Sequence, residues 1–231
     1  MSMHDGHRQR LRNRFLRDGL DNFEEVNALE LLLFHCIPRQ DTNPVAHRLL
    51  ERFGSYDAVL DASRSELLSV EGIGENTATF LSLMKPSWRY YNTAKNKKEI
   101  PLTTISACGY YLLPFFSCRD VETVYLLCLD AKSKVIACRL IGEGNVNSAS
   151  ISIRKIVETA MSCNATSVVL AHNHPSGVAI PSVEDIETTK RLGKALNAVE
   201  IILVDHLVIA DNEFVSIAQS GAYSYRDCEE V

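Results

Sequence analysis

Apolar positions in the first part of the chain recur at helical spacing. We predict short helices over residues 27–36, 43–54, 63–70 and 76–84. Pro44 suits a first helical position and Gly54 a helix end, while Ser63 and Glu66 have the spacing of a capping box. Because no run alternates with a period of two here, we predict an all-α region over residues 1–94.

The pattern changes after residue 102, where apolar runs that resemble strands alternate with helical ones. We predict strands over residues 122–130, 134–141, 166–171, 200–204 and 207–210, and helices over residues 106–116, 151–163 and 182–196. Strands and helices interleaved in this way are typical of an α/β fold, in which helices pack on a mixed sheet. Between the two regions, residues 95–102 are polar and rich in lysine. We therefore predict a linker there and a second domain over residues 103–231.

Composition excludes several classes of protein. Of the 231 residues, 46% are hydrophobic, yet no apolar run approaches the roughly 18–20 residues of a membrane span. The first twenty residues contain several arginines but lack the apolar core of a secretory signal, so we predict no such signal. The seven cysteines include no C-x-x-C pair, so we expect neither a disulfide framework nor a cysteine zinc site, and a reducing cytoplasm suits them best.

The net charge of −5 is unevenly distributed. Residues 1–98 carry a balance of +1 and residues 99–231 a balance of −6. If either part meets nucleic acid, it is therefore the first.

Candidate chemistry is concentrated in the segment AHNHPSGVAIPSVED. His172 and His174 are two residues apart at the end of a predicted strand, so their side chains share one face. Ser182 begins a predicted helix whose first turn carries Asp185. Two histidines and one aspartate that leave a fourth position open are typical of catalytic zinc. The alternative is that Ser182 and Asp185 only cap a helix.

The same segment matches the JAMM (MPN+) metalloprotease motif H-x-H-x(7)-S-x-x-D position for position. Its P-S-G form resembles the bacterial RadC family, as do the segments LLERFG, GIGE, RKIVETA, DHLVIAD and FVS. The resemblance implies a JAMM/MPN (cytidine-deaminase-like) mixed sheet with flanking helices, preceded by a small all-α domain similar to a helix-hairpin-helix.

The resemblance also implies a role for each residue of the motif. His172, His174 and Asp185 would bind Zn²⁺, and Ser182 would steady the oxyanion of the reaction. A glutamate from a separate segment would take a proton from the zinc-activated water. Glu122 stands in that place, since it follows a predicted helix and opens a predicted strand.

Three further residues leave alternatives open. Glu143, in a predicted loop, and Glu158, in the middle of a predicted helix, are the other candidates for the base. Many RadC-like sequences read P-R-E where this chain has residues 153–155, Ile-Arg-Lys, so that carboxylate is missing. His206 either orients one of the metal-binding side chains without binding the metal itself, or is a half-buried residue between two strands.

Two functions compete on these grounds, and the complete set of metal-site residues favours the first. The first is a zinc-dependent metallohydrolase that cleaves a peptide or isopeptide bond of an unknown protein substrate. The second is a DNA-repair or recombination accessory protein with the JAMM-like domain as scaffold. In this second function, the segment SVEGIGENTA, which resembles a helix-hairpin-helix, would offer Gly72 and Gly74 to a DNA phosphate. The alternative is a tight turn between two helices that binds no ligand. Because Glu71 and Glu75 flank that turn, we expect DNA binding to be weak and salt-sensitive at most.

Overall fold

A computed structural model describes residues 3–38, 40–95, 101–144 and 152–224. The chain divides into two compact units, Met1–Trp88 and Arg89–Val231. Residues 96–100, most of the predicted linker, lie outside the described residues, and Lys95 still belongs to a helix.

The first unit is built from helices and turns in the part of it that the structure describes. Its helices are α1 (Met3–Asp18), α2 (Glu25–Leu33), α3 (Asn43–Phe53), α4 (Tyr56–Asp61), α5 (Arg64–Leu68) and α6 (Glu75–Lys95), of which α6 continues into the second unit. Their apolar faces meet in one core whose most buried members include Leu29, Leu33, Leu49, Val59, Leu67 and Leu81. This confirms the predicted all-α class of the region.

Local capping explains where the short helices begin. The predicted capping box forms at α5, where the Ser63 hydroxyl accepts from the Glu66 N–H and the Glu66 carboxylate accepts from the Ser63 N–H. Helix α4 was not predicted. It begins after Ser55, whose hydroxyl accepts from the N–H of Ala58, and it is too short to show a helical period.

The second unit holds a five-stranded mixed sheet with helices on both faces. Its elements are α7 (Ile105–Phe116), β1 (Thr123–Leu129), β2 (Val135–Glu143), α8 (Ile153–Ser162), β3 (Ser167–Asn173), α9 (Val183–Asn197), β4 (Ile202–Ala210) and β5 (Glu213–Ser216). The strand order is β2-β1-β3-β4-β5. Strands β3 and β4 are parallel and every other neighbouring pair is antiparallel.

Alternation along β1 sorts the core of this unit into two layers. Val124, Leu126 and Cys128 face helices α8 and α9. Tyr125, Leu127 and Leu129 face helix α7. Strand β1 is buried on both faces, as expected of a strand in the interior of a sheet that has helices on each side.

One strand prediction was wrong. Residues 200–204 and 207–210 were predicted as separate strands, but β4 runs unbroken through Asp205 and His206. Both side chains are fully buried. The Asp205 carboxylate accepts hydrogen bonds from the N–H groups of His206 and Ala218 and from the hydroxyl of Ser216, so a polar pair is accommodated inside a strand.

Two further observations concern composition. Within the described ranges, no helix combines the length and apolar character needed to span a membrane. The six cysteines that the structure describes are all free thiols: Cys36, Cys108, Cys118, Cys128, Cys138 and Cys163.

Candidate metal centre

The end of strand β3 places two imidazole rings beside each other. His172 lies within the strand and is 1% exposed. His174 follows it directly, and its side chain is 22% exposed. Because the two residues share one face of the strand, their Nε2 atoms lie 3.0 Å apart.

Helix α9 brings Asp185 to the same point. Ser182 caps the helix, and Asp185 occupies its first turn as the partner in a capping box. The Asp185 Oδ1 atom lies 3.3 Å from His172 Nε2, and Oδ2 lies 3.6 Å from His174 Nε2. One donor atom from each of the three residues lies within 4.8 Å of the others.

The environment of His174 fixes which of its ring nitrogens can bind a cation. Its Nδ1 lies 3.0 Å from the carbonyl oxygen of Val178, and a carbonyl can only accept a hydrogen bond. Nδ1 therefore carries the ring proton, which leaves the Nε2 lone pair of the neutral ring directed at His172 and Asp185. Two imidazole nitrogens and one carboxylate oxygen form a donor set that suits zinc, so these residues fit a metal ion.

The carboxyl group of Asp185 is held in its charged form. Burial raises its pKa, but the neighbouring His172 imidazole and the hydrogen bonds from the Ser182 hydroxyl and backbone N–H outweigh burial. The pKa of Asp185 therefore lies well below its ordinary value, and the group is an anion at neutral pH.

Ser182 is engaged with Asp185 through three hydrogen bonds. Its backbone N–H and its hydroxyl donate to Asp185 Oδ2 over 2.8 and 2.7 Å, and its oxygen accepts from the Asp185 N–H over 3.0 Å. A hydroxyl has a single proton to donate. In this structure that proton orients the Asp185 carboxylate.

Strand pairing brings Glu122 to the cluster. In the antiparallel register of β1 and β3, Val124 lies opposite His172, which sets Glu122, just before β1, at the level of His174. Burial raises the pKa of Glu122, the two histidines lower it, and Asp185 raises it, with a net upward shift.

The residue between the two histidines holds the backbone on each side of Glu122. Asn173 is 5% exposed. Its Oδ1 accepts from the Thr123 N–H over 2.8 Å, and its Nδ2 donates to the Val121 carbonyl over 3.2 Å. The tripeptide that supplies both histidines therefore also positions the segment that carries Glu122. Sequence reasoning did not identify this role of Asn173.

The alternative carboxylates lie elsewhere. Glu143 pairs with Thr123 across β1 and β2, which directs it to the α7 face of the sheet, where it forms a 2.6 Å ion pair with Arg119. Glu158 is exposed and pairs with Arg154 one turn earlier on α8. Of the three candidates, Glu122 is the carboxylate whose charge interacts with all three cluster residues.

Behind His172, the structure places the buried His206. His172 Nδ1 lies 2.8 Å from His206 Nε2, and His206 Nδ1 lies 2.6 Å from the Thr189 hydroxyl. Burial lowers the pKa of His206 well below its ordinary value, so its ring is neutral. His206 is not half-buried between strands, as one sequence interpretation held. Thr189, which sequence reasoning missed, follows Asp185 by one helical turn.

The glycine turn predicted to contact DNA connects α5 and α6. Gly72 has a φ of 94°, and a Cβ added there would lie 3.0 Å from Val45 and 3.1 Å from the Arg48 guanidinium. Ile73 is 7% exposed and belongs to the core of the first unit. Gly74 immediately precedes α6. The turn therefore requires glycine at position 72 and has the Arg48 side chain beside it.

The sheet topology and the His-His-Asp cluster define a JAB-type domain of the JAMM/MPN fold. A family model described as RadC-like JAB domain matches residues 102–222. The chain belongs to the RadC family.

Relatives match nearly the whole chain. The chain is 37% identical over 223 residues to a UPF0758 protein of Fusobacterium nucleatum subsp. nucleatum. This match covers 94% of the chain and 96% of the relative. It is 34% identical over 215 residues to a UPF0758 protein of Ruegeria pomeroyi, covering 93% and 96% of the two chains. A UPF0758 protein of Rhodobacter capsulatus is 34% identical over 211 residues, covering 91% and 99%.

Proposed function

We propose that this protein is a zinc-dependent metallohydrolase that cleaves a peptide or isopeptide bond. One observation carries the proposal: His172, His174 and Asp185 direct three donor atoms to one point, within 4.8 Å of one another. The JAB domain supports it, because the family commonly binds a metal.

The three residues would hold zinc and leave one coordination position open for water or substrate. When bound, zinc lowers the pKa of a coordinated water from about 15.7 to about 7 and polarises a carbonyl group. His172 and Asp185 are almost fully buried. The partial exposure of His174 leaves the site open toward solvent on that side.

Glu122 is the residue we propose as general base. Its raised pKa brings the carboxyl group nearer to the neutral range in which a proton is taken up and released with similar ease. Glu122 would accept a proton from the attacking water and deliver it to the leaving amine.

Ser182 has two possible contributions, and the observed contacts favour one. To donate to an oxyanion, its hydroxyl would have to release Asp185 Oδ2, which it contacts at 2.7 Å. We propose that Ser182 acts through Asp185, by holding that carboxylate toward the metal.

The experiment is a comparison of two carboxylate variants in the zinc-loaded protein. A complex mixture of peptides is incubated with the parent chain, Glu122→Gln and Glu143→Gln, and new amino termini are identified by mass spectrometry. We expect the parent and Glu143→Gln to cleave, and Glu122→Gln to lose at least about 100-fold in rate while it retains zinc. No cleavage by the zinc-loaded parent, or equal cleavage by Glu122→Gln, would contradict the proposal.

A second candidate function is suggested by the first unit. The α5–α6 turn has the form of a helix-hairpin-helix, and two basic side chains lie beside it. Arg48 donates to the Glu71 carbonyl oxygen at 3.0 Å, and Arg64 pairs with Glu75. We propose weak, sequence-independent DNA binding by this turn through Gly72 and Gly74, which would place the hydrolase on a nucleic-acid partner.

The DNA proposal is tested on the full chain with duplexes of unrelated sequence at low and moderate salt. We expect similar weak affinities that fall steeply with salt, and a further loss in Gly72→Ala. Tight binding that salt does not change would contradict it.

We also propose a division into domains 1–94 and 103–231 joined by residues 95–102, and a reducing cytoplasm as the setting in which the cysteines stay free.

A further inference from the structure

Four groups behind the metal cluster form a continuous chain of hydrogen bonds. The Thr189 hydroxyl lies 2.6 Å from the backbone carbonyl oxygen of Asp185 and 2.6 Å from His206 Nδ1. His206 Nε2 in turn lies 2.8 Å from His172 Nδ1. Thr189, His206 and His172 are all buried, so water does not substitute freely for any member of the chain.

The first link has a fixed direction. A backbone carbonyl accepts and never donates, so the single proton of the Thr189 hydroxyl is given to Asp185 O. A threonine that bonds to the carbonyl one turn earlier in a helix is a known geometry. The oxygen of Thr189 is then an acceptor toward His206.

The remaining links follow from the first. His206 Nδ1 must carry a proton to donate to Thr189, which leaves Nε2 of the neutral ring as an acceptor. That acceptor requires a proton on His172 Nδ1. The second nitrogen of His172, Nε2, is then left with its lone pair directed toward Asp185 and His174.

We propose that Thr189 is a positioning residue that sets the tautomer of His172 through His206, and so prepares His172 Nε2 to bind a metal. This inference rests on the proposed metal site. Thr189 touches no reacting atom. It acts two hydrogen bonds away, by offering His206 an acceptor whose own proton is committed to the Asp185 carbonyl.

Removing the Thr189 hydroxyl reverses the direction of the hydrogen bond between His206 and His172. In Thr189→Val, a methyl group replaces the acceptor, and a proton on His206 Nδ1 would be buried without a partner. The proton then moves to His206 Nε2, which donates to His172 Nδ1. His172 is left with its proton on Nε2, the atom that should face the metal, so zinc must displace it to bind.

The test combines a spectroscopic and a binding measurement. Imidazole ¹⁵N shifts of the zinc-free protein, measured near pH 8, report which nitrogen of His206 carries the proton, and competition with a chelator gives the zinc affinity. We compare the parent with Thr189→Val, with Thr189→Ser, which restores the hydroxyl, and with Thr159→Val. The Thr159 hydroxyl also donates to the backbone carbonyl one turn earlier, but on helix α8.

We expect His206 to be protonated on Nδ1 in the parent, Thr189→Ser and Thr159→Val, and on Nε2 in Thr189→Val. We expect Thr189→Val to lose roughly 10- to 100-fold in zinc affinity. Unchanged tautomer and affinity in Thr189→Val, or Nε2 protonation in the parent, would overturn the inference. If the parent did not bind zinc while the tautomers followed this pattern, the tautomer assignment would be supported and the proposal of a zinc metallohydrolase would be contradicted.

Discussion

Replacing Ser182 by alanine separates two roles for this side chain. If Ser182 acts through Asp185, Ser182→Ala will lower both stability and zinc affinity, because the hydroxyl caps α9 and donates to a buried carboxylate. If it acts only on the substrate, both properties will remain unchanged.

The magnitude follows from the bonds that are lost. An N-cap serine contributes about 0.5–2 kcal/mol, and a hydrogen bond to a charged group about 1.5–3 kcal/mol. Since the two bonds share one hydroxyl, they are not additive, and we expect a loss of about 2–4 kcal/mol. At about 2–4 °C per kcal/mol for a domain of this size, the Tm of the metal-free protein should fall by roughly 4–16 °C.

The assay is thermal unfolding in the presence of a chelator, followed by zinc titration of the same samples. Ser176→Ala is the control, because Ser176 is exposed in the loop after His174 and is not in the capping box. We expect the control to match the parent, and Ser182→Ala to bind zinc about 10- to 100-fold more weakly. Parent-like Tm and zinc affinity in Ser182→Ala, with hydrolysis lost, would refute the reasoning.

Three other changes have defined outcomes. Asn173→Asp keeps the acceptor for the Thr123 N–H but loses the donor to the Val121 carbonyl, so the position of Glu122 should shift. The rate of peptide hydrolysis should then fall at least about 10-fold while the zinc content is unchanged. Full activity of this variant would contradict the role of Asn173. A methyl group added at Gly109 would overlap the Phe214 ring, so Gly109→Ala should lower the free energy of unfolding in urea by about 1–3 kcal/mol. Adding Phe214→Leu should restore part of that loss. A Gly109→Ala variant as stable as the parent would contradict this prediction. The lowered pKa of Asp185 stabilises the metal-free protein above the ordinary carboxyl pKa of about 3.9, and this stability is lost as pH falls through the folded-state pKa. The Tm difference between the parent and Asp185→Asn should therefore narrow on acidification from about pH 6 to pH 3, and a constant difference would argue against it.

The alternation of strands and helices was readable from the sequence, but polar residues inside a strand were not. Asp205 and His206 interrupt an apolar run, and local pattern alone therefore suggested two strands. They lie within β4 because the Ser216 hydroxyl and the Ala218 N–H reach Asp205 from the segment at the end of β5. Such partners are distant in sequence, and β5 itself is too short for its alternation to be recognised.

The arrangement of the cluster residues was predictable because local rules dictate it. A period of two puts His172 and His174 on one face, and the capping box puts Asp185 in the first turn of α9. Residues that act through tertiary contacts were not predictable. Whether Glu143 faces the cluster depends on the register of β1 and β2, and the contact of Thr189 with His206 depends on how α9 packs on β4.

The metal content of the protein, purified without added metal, tests the central claim most directly. The parent is measured beside the double variant His172→Ala/His174→Ala, with thermal unfolding to show that both are folded. We predict about one zinc per parent chain and none in the folded variant. A parent chain that contains no metal and does not bind zinc on titration would contradict the proposed metal site.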